Sequence, residues 1–108
     1  MTEKKKTINR VEKNRNYSII HNHGPHDAQL TWGARGLLAY MLTKPDDFSF
    51  YNEELARHSP ESVWKVKELI KELKSFGYIK RIPVKDPATK KILNWTTILY
   101  EIPLEPDA

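Results

Sequence analysis

Residues 59–81, SPESVWKVKELIKELKSFGYIKR, control how the rest of the chain is read. At about 100° per residue, Val63, Val66, Leu69, Ile70, Leu73 and Phe76 fall on one face, and Trp64, Lys67, Glu68, Lys71 and Ser75 on the opposite one. The flanks carry start and stop signals. Ser59 is a candidate N-cap, Pro60 suits a first helical position where its missing N–H costs nothing, and Glu61 puts negative charge in the first turn. Lys74 falls in the last turn, and Gly77 stands where a left-handed residue closes a helix. The spacing predicts one amphipathic helix over Pro60–Phe76, with a basic outer face that carries a tryptophan.

Immediately upstream, Asn52 is the expected cap of a short helix that has Glu53 and Glu54 in its first turn, Leu55 and Ala56 facing inward, and an end near His58. Only Ser59 and Pro60 then separate it from the longer helix. A short helix, a sharp turn and a longer amphipathic helix form a helix-turn-helix. Downstream of Gly77 the period changes to two: Tyr78–Val84 (YIKRIPV) and Ile92–Ile102 (ILNWTTILYEI) flank a polar link with turn formers, which predicts a β-hairpin with Trp95 on its second strand.

Further upstream, Leu30–Leu42 reads as another helix, capped by Thr31, with Leu30 as its hydrophobic staple and Ala34, Leu37, Leu38 and Met41 inward. Gly33 and Gly36 would each weaken it by up to about 1 kcal/mol relative to alanine, so both are expected where a neighbouring element packs closely. Trp32, near its start, is expected to cover a domain edge or a dimer contact. Lys44-Pro45-Asp46-Asp47 ends the helix, and Phe48–Phe50 is an extended link. Tyr17–Ile20 (YSII) is expected to be a short edge strand, and His21–Gln29 (HNHGPHDAQ) a turn-rich loop. The expected fold class is α+β: a winged helix-turn-helix with a three-helix core, a short N-terminal strand and a C-terminal hairpin wing. It spans residues 17–103, after a flexible basic arm over 1–16 and before a tail or linker start over 104–108.

Charge divides unevenly along these elements. Residues 1–16 carry +4, and residues 62–91 carry nine lysines and arginines against three carboxylates, whereas 17–61 and 92–108 are each −3. A polyanion meeting one side of the molecule suits this asymmetry. With 108 residues the chain forms one domain with one modest core, and with no cysteine it can build neither a disulfide framework nor a zinc–thiolate site. No apolar run reaches membrane-spanning length and the N-terminal residues lack a signal-peptide core, so a cytoplasmic, nucleoid-associated protein with no membrane partner is expected. His21, His23 and His26 lie beside Asp27, and a His-x-His pair with a tyrosine also occurs in nicking enzymes that use a metal. Here the histidines fall in a Gly-Pro loop with no carboxylate pair. There is also no phosphate-cradling glycine loop and no nucleophile motif. No enzymatic activity, cofactor or metal is expected.

The segments LTWGARGLLAYMLTKPDDF, YNEELARHS and VKELIKELKSFGYIKR together resemble the winged-helix N-terminal domain of DnaD-like replisome organisers and of phage and plasmid replication initiators. The likeness covers about Tyr17–Pro103 and is most specific in GLLAYML with the PDDF that follows. It implies a role in replication initiation, through binding to origin repeats or through organising replisome proteins.

Docking of a helix-turn-helix on duplex DNA assigns roles residue by residue. Trp64, Lys65, Lys67, Glu68 and Lys71 reach the major groove from the recognition helix, with Glu68 suited to accept from cytosine N4–H₂. Ser59 and Ser62 at the helix start suit phosphate. Lys80, Arg81, Lys85, Lys90 and Lys91 on the wing, with Lys4, Lys5, Lys6 and Arg10 on the arm, would add backbone contacts. A self-associating protein-interaction module, in which Trp64 anchors a partner, is the alternative. A small transcriptional regulator would dock in the same way.

Overall fold

The computed structural model describes residues 15–45 and 50–104. Lys4, Lys5, Lys6 and Arg10 of the expected arm, the Asp46–Ser49 stretch of the link and residues 105–108 of the tail lie outside the described residues. The element order is α1 (Trp32–Leu42), α2 (Asn52–Arg57), α3 (Val63–Ser75), β1 (Ile79–Lys85) and β2 (Ile92–Leu99).

Thr31 starts α1 as its sequence demands, its side-chain oxygen accepting from Ala34 N at 3.2 Å. No acid occupies the first turn of α1. Glu72 of α3 fills that role instead: its carboxylate accepts from Thr31 N at 2.7 Å and Thr31 Oγ1 at 2.8 Å, placing negative charge at the positive end of the helix dipole. The helix buries Ala34, Leu38 and Met41. Gly33 is where close packing was expected, since a Cβ there would lie 3.1 Å from Leu69 Cδ2. Gly36 departs from that expectation, with nothing within 4 Å of an added Cβ.

The longer helix begins three residues later than Pro60. The Ser59 hydroxyl accepts from Glu61 N two residues on, a local turn that competes with helix nucleation, and Ser62 is the cap, accepting from Lys65 N at 3.1 Å. Residues 58–62 therefore form the link between α2 and α3, longer than the expected one or two residues, and Glu61 stays outside the first turn. Asn52 likewise lies inside α2, whose cap position is Tyr51.

The far end of α3 follows its sequence. Gly77 adopts φ +85°, Gly77 N donates to Lys74 O at 3.1 Å and Tyr78 N to Leu73 O at 2.9 Å, the two bonds of a Schellman closure. Phe76 occupies the cap rather than the inner face and is 36% exposed. Inward residues Val66, Leu69, Ile70 and Leu73 join Leu30, Ala34, Leu38, Met41, Leu55, Tyr78 and Ile79 in one core. Each such aliphatic side chain contributes about 1.5–3 kcal/mol.

Strands β1 and β2 pair antiparallel, Ile79 opposite Leu99 through Val84 opposite Asn94. A bulge follows, so that Lys85 meets Ile92. Asp86 organises the turn: its Oδ1 accepts from Ala88 N and Thr89 N, its backbone N–H donates to Lys91 O, and Lys90 closes the loop at φ 63°. The expected N-terminal strand does not form. Tyr17 and Ile19 are exposed and the sheet has two strands among the described residues, because a four-residue β-prone run is stable only when a ladder receives its N–H and C=O groups. Among the described residues the fold is α+β, three helices and an antiparallel hairpin, an arrangement compatible with a winged-helix-like domain.

Candidate nucleic-acid interface

The outer face of α3 is open, as its periodicity implies. Trp64 is 68% exposed, and Lys65, Lys67, Glu68 and Lys71 are exposed around it. Lys74 is exposed as well and extends the row. At about 100° per residue, Lys67, Lys71 and Lys74 lie within about 60° of one another, with Trp64 at the leading end. Glu68 and Glu72 lie on the α1 side of that row, about 60° and 100° from Lys71. Glu72 is held by Thr31, so its charge is committed to the α1 terminus. Lys74 was legible as a neighbour of Lys67 one heptad on, but in sequence it reads first as a helix-ending cation.

The two serines divide their roles. Ser62 caps α3 with its oxygen and keeps its hydroxyl proton free to donate at the helix start, whereas Ser59 sits in the preceding turn. On the hairpin, Lys80, Lys85, Lys90 and Lys91 are all exposed, the last three clustered at the tip. Arg81 behaves differently from the other wing cations. Its side chain turns inward, donating from Nη2 to Phe50 O at 3.0 Å and Asn52 Oδ1 at 3.1 Å, and from Nε to Thr97 Oγ1 at 3.3 Å. Burial lowers its pKa from the ordinary arginine value, with Glu53 opposing the shift. It ties the hairpin to the start of α2 rather than projecting from the wing.

The histidine loop also has a structural use. Tyr78 is fully buried, and its hydroxyl donates to Asp27 Oδ2 at 2.6 Å. That spends the phenol's one proton, so the hydroxyl accepts from Nδ1–H of His23 at 3.0 Å. The bond to Tyr78, reinforced by Gln29 N, holds the Asp27 carboxyl below the usual carboxylate range, while burial first and Asp27 second push the Tyr78 phenol up. Among the described residues no group of three or more His, Cys, Asp or Glu is placed to hold a metal.

A second polar chain joins α1 to α2. Glu54 Oε1 can only accept from His58 Nε2 at 3.2 Å, so in the neutral ring Nδ1 accepts the Tyr40 hydroxyl at 2.6 Å. Trp32, 80% exposed, carries the Arg35 guanidinium 4.3 Å from its ring centroid. Among the described residues no helix is long and apolar enough to cross a membrane.

What the arrangement offers chemically is a basic, tryptophan-led helix face beside a lysine-tipped hairpin. Comparison with protein-family models, with curated proteins and with solved structures returns no match to this chain.

Proposed function

We propose that this chain is a winged helix-turn-helix domain that binds double-stranded DNA in the cytoplasm, as part of a DnaD-like replication initiator of phage or plasmid type. The supporting observation is the exposed row of Trp64, Lys67, Lys71 and Lys74 on a 13-residue helix whose opposite face is wholly committed to the core. Such a helix is about 20 Å long and fits a major groove about 12 Å wide. In that pose Lys67 and Lys71 meet phosphate or guanine, Glu68 meets cytosine, Ser62 donates to phosphate, and Lys85, Lys90 and Lys91 follow the adjoining backbone.

Titration of a pool of random duplexes tests this. With about four to six phosphates neutralised, affinity falls about 10²- to 10³-fold between roughly 50 and 200 mM salt. Salt-insensitive binding, or a Lys67→Ala/Lys71→Ala variant that binds as the parent does, removes the assignment. An enriched motif among the bound duplexes would supply the site.

A second reading, self-association, is favoured by the α1 surface. Gly36 is open above, and with Trp32, Leu37 and Tyr40 it borders an apolar cavity of about 300 Å³. Sedimentation equilibrium of the parent, Trp32→Ala and Trp64→Ala separates the two readings. Loss of self-association with unchanged duplex affinity places those tryptophans in a protein contact.

A further inference from the structure

Beside the basic row of α3 the hairpin overhangs the start of α2. The space between them is a groove with a cavity volume of about 560 Å³, bordered by Tyr51, Asn52 and Glu53 on one wall, Trp95 and Thr96 on the other, and Lys74 of α3. Its size falls within the range of small-ligand pockets, about 300–1,000 Å³. The walls are held together by Arg81, which bonds to Phe50 O and Asn52 Oδ1 on one side and to Thr97 on the other. The groove is therefore shaped before any ligand arrives.

Register explains how an indole comes to be there. Alternate residues of a strand share a face, and the pairs Arg81–Thr97 and Pro83–Trp95 stand on the same one. Trp95 therefore follows Arg81 over α2, and it stays 51% exposed, while Tyr51 on the facing wall stays 52% exposed. Two half-open aromatic rings from separate elements are poorly matched to a core role and well matched to a flat π-surface between or against them.

The polar groups narrow the ligand further. Asn52 Oδ1 is occupied by Arg81, which leaves its amide NH₂ to donate. That group suits the carbonyl oxygen of a base edge, Glu53 suits an exocyclic amine, and Lys74 supplies a cation for the linking phosphate. An apolar peptide would leave these groups unpaired, and a duplex buries its base faces in its own stack.

We propose that this groove binds single-stranded nucleic acid, one or two unpaired bases stacking on Trp95 and Tyr51 with Lys74 on the intervening phosphate. The site meets the duplex-facing row of α3 only at Lys74, which borders both. The two readings are tested by different side chains.

The intact chain is titrated with a roughly 12-nucleotide oligothymidine, followed by intrinsic tryptophan fluorescence and by anisotropy of the labelled strand. Binding quenches the fluorescence, and Trp95→Ala weakens binding by about tenfold or more, as loss of a base-stacking platform does. Trp95→Phe retains most of the affinity but loses the quench. Tyr51→Ala, on the other wall and outside the hairpin, also weakens the single strand and guards against a Trp95 variant that unfolds. Neither Trp95→Phe nor Tyr51→Ala alters duplex affinity by more than about twofold, and Lys67→Ala/Lys71→Ala lowers duplex affinity with the larger effect. Oligothymidine affinity unchanged in folded Trp95→Ala and Tyr51→Ala, or a quench that persists in Trp95→Phe, overturns the groove proposal. Loss of the duplex reading alone, with Trp95-dependent binding of the oligothymidine intact, leaves the proposal standing.

Discussion

Replacing Tyr78 by phenylalanine removes one oxygen from a site with no exposed surface, and with it two hydrogen bonds that tie the histidine loop to the base of the hairpin. The ring remains, so little packing is lost. A bond to a charged acceptor contributes about 1.5–3 kcal/mol. His23 is exposed and Asp27 keeps its bond from Gln29 N, so water and the loop recover part of this. The expected loss is about 2 kcal/mol, which in a domain of this size lowers Tm on the order of 10 °C. Thermal melts followed by circular dichroism read it directly. Asp27→Ala in the same cycle should show a coupling of about 1–2 kcal/mol with Tyr78→Phe. The pH dependence adds an independent check. Asp27 is lowered from 3.8, so its contribution is present above about that value and is lost as pH falls through the folded-state pKa. Tyr78 is raised above 10.0, so its contribution is present below that value and is lost as pH rises through the folded-state pKa. Parent and variant should therefore differ most between about pH 4 and 10 and converge at both ends. A Tm change under about 3 °C, or a gap that does not shrink in acid, refutes the role given to this bond.

Four other outcomes follow from named contacts. Glu72→Ala leaves Thr31 N and Oγ1 without their acceptor and should cost about 1–2 kcal/mol in urea melts, with no loss of duplex affinity beyond that from unfolding. Ser62→Ala should cost about 1 kcal/mol and Ser59→Ala clearly less; equal costs would contradict a helix that starts at Val63. Gly36→Ala should stabilise by up to about 1 kcal/mol, whereas Gly77→Ala should destabilise because of its left-handed backbone and the Leu104 backbone beside it. Arg81→Ala should lower both Tm and nucleic-acid affinity. Lys85→Ala/Lys90→Ala/Lys91→Ala should lower affinity alone, as salt titrations and melts of the two variants would show.

The elements that depend on near neighbours were readable from the chain alone. Apolar spacing placed the inner faces of α1 and α3, Thr31 marked the start of α1, Gly77 marked the end of α3, and period two with a polar link marked the hairpin. All of these rest on bonds or contacts spanning a few residues, so sequence order carries them. The same locality misled where two local signals competed. Ser59 with Pro60 read as the start of α3, and only the competing turn at Ser59 moves that start to Ser62. Tyr17–Ile20 had the composition of a strand but no ladder to join. Tertiary structure alone determined which polar side chains are committed and which are free. Glu72 meets Thr31 across 41 residues, Tyr78 meets Asp27 across 51, and Arg81 reaches Phe50 across 31. Pairings at such separations depend on how helices and hairpin stack, and no residue pattern within either segment encodes them. They turn an apparent wing cation into a tether, a turn-rich histidine loop into a brace for the hairpin, and the open side of α2 into a groove lined by Tyr51, Trp95 and Lys74.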